Sequence, residues 1–382
     1  MSITREEPST AGMDHGGGYL RGIGNVVGLE LRQRLRSRGW FILLGIWFVL
    51  IGFVTLLSWS GANASREYSE VAGGSQPSSA GPMIFEIVVA FVLLFGLLVA
   101  PALSANAVNG DRSGGTLAIL QVTLLTPGQI LWGKFLASWI AALAFLVSSA
   151  PFLVIAVVLG GMTPGHILVS LGMLAVELAV VCGIGVGISG LANRPLFSIV
   201  VSYLTIAALV VGTVIAFALG VRLTQGTVLA NEADYQQSQV YLPESGQVPS
   251  GPGYVCGGPL QEQRTVHTER VAWLLSLNPY VVVADAIPYP PRAGQSLGMA
   301  GVLGANGMLE GISQGARAAL AGPAGTYPCA GGKVQASYLE QTTPMWPLGL
   351  VLQFLLAGGL MWLGWRALRT PSRKLARGTR IA

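Results

Sequence analysis

MIFEIVVAFVLLFGLLVAPALSA, residues 83–105, decides how the rest of this chain is read. One carboxylate, Glu86, interrupts the run near its start, and nothing else in it is charged. A helix rises about 1.5 Å per residue, so a run of this length covers the roughly 30 Å of hydrocarbon in a bilayer. Inside lipid the backbone must satisfy its own hydrogen bonds, which makes such a run a helix. Five more runs are of the same kind: Trp40 to Trp59, Phe135 to Gly161, Ile167 to Ala192, Leu196 to Val221 and Met345 to Leu368. The sequence therefore predicts an all-α polytopic membrane protein with six transmembrane helices.

Composition points the same way. Of 382 residues, 10% are charged and 52% hydrophobic, where soluble domains carry about 25% charged residues. The net charge of +5 is unevenly placed. Arg5, Arg21, Arg32, Arg34, Arg36 and Arg38 precede the first run, and Arg366, Arg369, Arg373, Lys374, Arg377 and Arg380 follow the last. Arg112, Lys134 and Arg194 fall in short loops on the same face. By the positive-inside rule both termini are cytoplasmic. The basic clusters read as topology signals and contacts with anionic membrane lipid, with no nucleic acid as partner. The first run is too long, and too far from Met1, for the apolar region of a cleaved signal, so it is expected to be retained.

The runs divide the chain into segments. Residues 1–39 read as a cytoplasmic tail ending in an interfacial elbow helix. There Ile23, Val26, Val27, Leu31 and Leu35 recur at helical spacing beside four arginines; a plain basic flank is the alternative. Residues 40–221 hold helices one to five. Residues 222–344 form a large extracytoplasmic loop between helices five and six, rich in Gly, Pro, Ser and Gln. Within it, 271–287 is apolar but broken by Asn278-Pro279, and it carries Asp285. It is too short to span, so a re-entrant or interfacial helix pair is expected. Residues 298–325 read as loop with short helices at most. Residues 345–368 form the sixth helix and 369–382 a basic cytoplasmic tail.

The loop at 106–133 reads NAVNGDRSGGTLAILQVTLLTPGQILWG. Thr116 to Leu125 has helical apolar spacing, and Thr126-Pro127-Gly128 breaks it. A short amphipathic helix there would project into the cytoplasm towards a partner.

Signatures of catalysis are missing. The chain has no P-loop, no H-E-x-x-H and no Cys/His metal spacing, so no catalytic residue, metal or cofactor is expected. Glu177, in the middle of the fourth run, must face the bundle interior or a wet cavity, or be protonated. A substrate or proton contact accounts for it, and so does an interhelical hydrogen bond that sets packing; Glu86 carries the same two readings. Gly183 and Gly187 have the small-xxx-small spacing that lets a second helix approach. Cys182 lies within a span, whereas Cys256 and Cys329 share the outer loop, where an oxidising compartment permits a disulfide between them.

In order along the chain, these features resemble the permease subunits of type-2 ATP-binding-cassette exporters. Leu29-Glu30-Leu31-Arg32 through Arg38-Gly39-Trp40 resembles that family's elbow. Gly110-Asp111-Arg112-Ser113-Gly114-Gly115-Thr116-Leu117, then Thr123-Leu124-Leu125-Thr126-Pro127 and Gly133-Lys134, is similar to its E-R-x-x-G-T-L…L-x-T-P…G-K loop. Leu277-Asn278-Pro279-Tyr280 with Asp285-Ala286 is similar to its outer L-N-P…D-A element. The chain departs from the family in Ser113 and Gly114, where further charge is common, and in its longer outer loop.

The resemblance implies a transporter of two permeases, as homo- or heterodimer, and two ATPase subunits in a bacterial plasma membrane. Arg112, Gly115, Thr116, Leu117, Leu120, Thr126 and Pro127 would couple to the ATPase, and hydrolysis would occur in that partner. Glu177 and Glu86 are the candidates for the translocation path, and Asn278, Pro279 and Asp285 mark the outer re-entrant motif. The rival reading is a polytopic scaffold or sensor that binds a partner through its outer loop.

Overall fold

The computed structural model describes residues 15–71, 81–114, 125–159, 163–235, 254–289, 307–327, 329–330, 333–334 and 343–369. Among these, six helices are long and apolar enough to cross a membrane. Helix α1 (His15–Leu35) is followed by the first span α2 (Arg38–Val71) and the second α3 (Gly81–Ser104), which α4 (Ala107–Ser113) extends after a turn. The third span is α5 (Pro127–Val158) and the fourth α6 (Pro164–Leu191). The fifth consists of α7 (Pro195–Ala207), a π-helical turn at Ala208–Gly212, and α8 (Thr213–Leu223). Helices α9 (Trp273–Ser276), α10 (Pro279–Ala286), α11 (Met308–Ala321) and α12 (Pro323–Thr326) precede the sixth span, α13 (Trp346–Leu368).

Proline starts several of these helices. It stands at the first or second helical position of the third, fourth, fifth and sixth spans and of α10, where its missing N–H costs nothing and its φ is already helical. Thr126 caps the third span in a reciprocal box: its Oγ1 accepts from Gln129 N at 3.4 Å, and Gln129 Oε1 accepts from Thr126 N at 2.7 Å.

Burial separates core from periphery. The second, third and fourth spans are 56%, 44% and 50% buried, against 22%, 17% and 22% for the first, fifth and sixth. The outer three instead expose Phe41, Ile46, Phe53, Leu204, Ile215 and Phe354, the surface that acyl chains cover in a bilayer. The first span is fastened by Trp47, whose Nε1 donates to Phe145 O at 3.0 Å and Ser149 Oγ at 3.2 Å. Its ring stacks on Phe91 at 5.9 Å. The fourth and sixth spans cross without side chains between them. A Cβ on Gly187 would lie 2.6 Å from the Leu360 carbonyl carbon, and Gly190 faces Gly364.

The segment read from sequence as a loop contains a sheet. Strands β1 (Gln225–Tyr235) and β2 (Tyr254–Val266) form an antiparallel hairpin, with a register irregularity between Ala230 and Glu232. The short β3 (Cys329–Ala330) and β4 (Lys333–Val334) complete the order β2-β1-β3-β4. The apolar stretch at 271–287 forms α9 and α10, broken at Leu277-Asn278.

Candidate coupling site and translocation path

The elbow helix, α4 and the start of the third span meet at one end of the bundle, called here the basic end. Gln129 ties the third span to the elbow, donating from Nε2 to Tyr19 O at 3.1 Å. Gly133 permits contact one turn later, since a Cβ there would lie 2.6 Å from Val26 Cβ. Next to it Lys134 is almost fully buried, and its ammonium lies 2.5 Å from Glu30 Oε1 and 2.6 Å from Asp111 Oδ2. One lysine on the third span therefore holds a carboxylate of the elbow and a carboxylate of α4. An unpaired buried ammonium is costly, so each partner offsets its desolvation. The elbow is held a second time by Arg34, whose Nη2 donates to Leu103 O at 3.0 Å, at the C-terminus of the second span. Burial pulls the Arg34 guanidinium below its ordinary value, and nearby Glu30 opposes that shift.

Arg112, the first of the sequence-predicted coupling residues, faces the fourth span. Its Nη1 donates to Ala192 O at 2.7 Å, at that span's C-terminus. The first N–H groups of α4 meet the same span: Val108 N and Asn109 N donate to Ser189 Oγ at 3.0 and 3.1 Å. Thr126 and Pro127 are the N-cap and first residue of the third span. Gly115, Thr116, Leu117 and Leu120 lie outside the described residues. Glu30, Asp111 and Lys134 were quoted in the motifs but not singled out as site residues.

At the opposite end, Glu86 and Asp285 clamp helix α11. Glu86 Oε2 accepts from Leu309 N at 2.8 Å and Oε1 from Glu310 N at 3.3 Å. A carboxylate is well placed there, because a helix N-terminus leaves N–H groups and positive dipole unsatisfied. Asp285 accepts from Ser313 Oγ at 3.0 Å, Arg317 Nε at 2.5 Å, Met345 N at 2.5 Å and Trp346 N at 2.9 Å. It thus joins α10, α11 and the start of the sixth span. Burial pushes the nearby Tyr289 phenol above its ordinary range, and Glu86, Glu310 and Asp285 add to the shift.

Asn278 works in two directions. Its Oδ1 caps α10 by accepting from Tyr280 N at 2.9 Å. Its Nδ2 donates to Val210 O at 2.7 Å and Thr213 Oγ1 at 3.1 Å. Val210 lies in the π-turn, where widening the helix frees a carbonyl for a partner outside it. Pro279 follows as the first residue of α10. Glu177, the other path candidate, lies at mid-span with 1% exposure, beside the Gln353 side chain of the sixth span, with no hydrogen bond of good geometry to either carboxylate oxygen. Among the described residues Cys182 is free and buried, and Cys329 is disulfide-bonded.

Among the described residues the bundle thus has six candidate spans, an ion cluster at its basic end and a carboxylate clamp at the other. A search of curated proteins finds no match to this chain. A family model described as ABC-2 family transporter protein matches residues 24–345, from the elbow through Met345. That stretch takes in the basic-end ion cluster, the re-entrant pair and the Asp285 clamp, and the chain is accordingly a member of the ABC-2 transporter family, a multi-pass membrane component of an ATP-binding-cassette system.

Proposed function

We propose that the chain is the permease of an exporter, driven by two copies of a separate ATPase and paired with a second permease. Its basic end faces the cytoplasm of a bacterial cell. The observation that carries this reading is the convergence on Lys134: the elbow and α4, far apart in sequence, are fastened to one point on the third span. A force applied to α4 or to the loop after it, residues 115–124, would reach both the elbow and the bundle. Arg112 then serves as an anchor to the fourth span, and Thr116, Leu117 and Leu120 would present the surface that docks the ATPase.

Asp285, Asn278 and Pro279 hold the re-entrant pair in place on the extracytoplasmic side. Cys329 takes Cys256 as its disulfide partner, the remaining cysteine outside the spans, consistent with an oxidising compartment. Co-purification tests the reading. A P-loop ATPase should travel with the permease out of native membranes and lose it when Thr116 to Leu125 carry reversed charge. Purification of the chain alone from its native host, with no ATPase, would favour the scaffold or sensor reading, to which the sheet and disulfide lend a binding surface.

A further inference from the structure

Glu177 belongs to a polar layer that crosses the bundle at mid-membrane depth. It lies at the centre of Pro164–Leu191, and the π-turn lies at the centre of the fifth span. Between them the re-entrant turn at Leu277-Asn278 reaches in, joined to the sixth span by Gln353 Nε2, which donates to Leu277 O at 3.2 Å. Asn278 Nδ2 donates to Val210 O and Thr213 Oγ1, and Thr213 Oγ1 donates in turn to Leu209 O at 2.7 Å. The donors of this layer are therefore engaged in holding its own segments together.

Its acceptors are not. Among the described residues, Glu177 Oε1, Glu177 Oε2 and Gln353 Oε1 have no hydrogen-bond partner, although the two residues are 1% and 0% exposed. Buried oxygens of this kind are rare and call for a specific cause. A carboxylate at mid-membrane marks a substrate or ion path by default. Transporters often place such sites at the midplane, where broken helices meet.

We propose that Glu177 and Gln353 form the binding site for the ammonium or amidinium group of an organic cation, the cargo of this permease. An ammonium brings both the charge that Glu177 lacks and the N–H donors that all three oxygens lack, whereas an anionic or acceptor-only headgroup would add to the mismatch.

This inference rests on the permease reading, but its test needs no ATPase. The full chain in lipid nanodiscs is titrated with dansylcadaverine, a fluorescent amphiphile bearing a primary ammonium, against empty nanodiscs. The wild type should bind it saturably, and Glu177→Gln, which keeps size but removes charge, should bind about tenfold more weakly or worse. Glu262→Gln, on the exposed strand β2, should bind as wild type. Gln353→Glu adds a second carboxylate and should tighten binding; it decides the matter if Glu177→Gln fails to fold. Unchanged affinity in either site variant, displacement of the bound amine by the anionic amphiphile laurate, or no saturable binding by the wild type would overturn the assignment. A permease that carries its ATPase yet ignores the cation would sink this inference alone.

Discussion

Lys134 Nζ lies 2.6 Å from Asp111 Oδ2, an ion pair that joins α4 to the third span. Glu30 completes the cluster from the elbow at 2.5 Å. Lys134→Met would remove the cation that Glu30 and Asp111 share. The expected loss is roughly 2–3 kcal/mol of stability, read as a lower unfolding midpoint in detergent. Asp111→Asn should cost less, because Lys134 keeps Glu30. An equal loss in both variants would show that the two arms are not independent.

Asp285→Asn tests the outer clamp. Asparagine can still accept but cannot balance the charge of Arg317, and its amide nitrogen would face the N–H groups of Met345 and Trp346. A loss of about 2–4 kcal/mol is expected. Limited proteolysis should then cut faster within 307–327 while cleavage at the basic end is unchanged. Uniform acceleration at both ends would mean that Asp285 stabilises the whole bundle and not one helix.

Asn278 separates two contributions by substitution. Asn278→Asp keeps the cap on α10 and removes the donor to Val210 O; Asn278→Ala removes both. The cap alone is worth about 1 kcal/mol, so alanine should be the more damaging change by about that amount in a denaturation series. Should aspartate be worse, the buried carboxylate facing the Val210 carbonyl costs more than the retained cap returns.

The crossing of the fourth and sixth spans predicts an ordered pair of glycine effects. Gly183→Ala would bring a methyl to 3.5 Å from Ala357 Cβ, an ordinary contact, whereas Gly187→Ala would drive one into backbone at 2.6 Å. The first should change stability by less than about 1 kcal/mol, and the second should lose 1–3 kcal/mol, the usual range for overpacking, or roughly more. Yield of monodisperse protein from matched expression cultures reads the order directly.

The spans were legible because lipid imposes a length and an apolar composition that a soluble core does not. The first helix nevertheless runs on to Val71, past the expected end at Trp59, since a helix need not stop where its hydrocarbon cover does. The sheet was not legible. Strand β2 carries Gly257-Gly258-Pro259 in its interior, residues that ordinarily punctuate strands. Glu30, Asp111 and Lys134 all stood in quoted motifs, yet Lys134 pairs with one residue 104 positions away and with another across the loop, which no local pattern encodes. Asp285 was conspicuous as a charge in an apolar stretch, while Ser313 and Arg317, its partners, lay in a segment read as loop. Glu86 was weighed for the path, and it holds the N-terminus of α11.

The π-turn at Ala208–Gly212 fits one extra residue into a helix that turns about 100° per residue. The two halves of the fifth span are therefore indexed differently around their common axis. The basic half addresses the fourth and second spans, and the other half addresses α9 of the re-entrant pair. An uninterrupted α-helix could align one of these faces but not both. Deleting a single residue from the turn should leave a plain α-helix whose halves still face as they do, but with the freed carbonyl returned to an intrahelical N–H, so that the re-entrant pair would lose its hold on the fifth span at Val210.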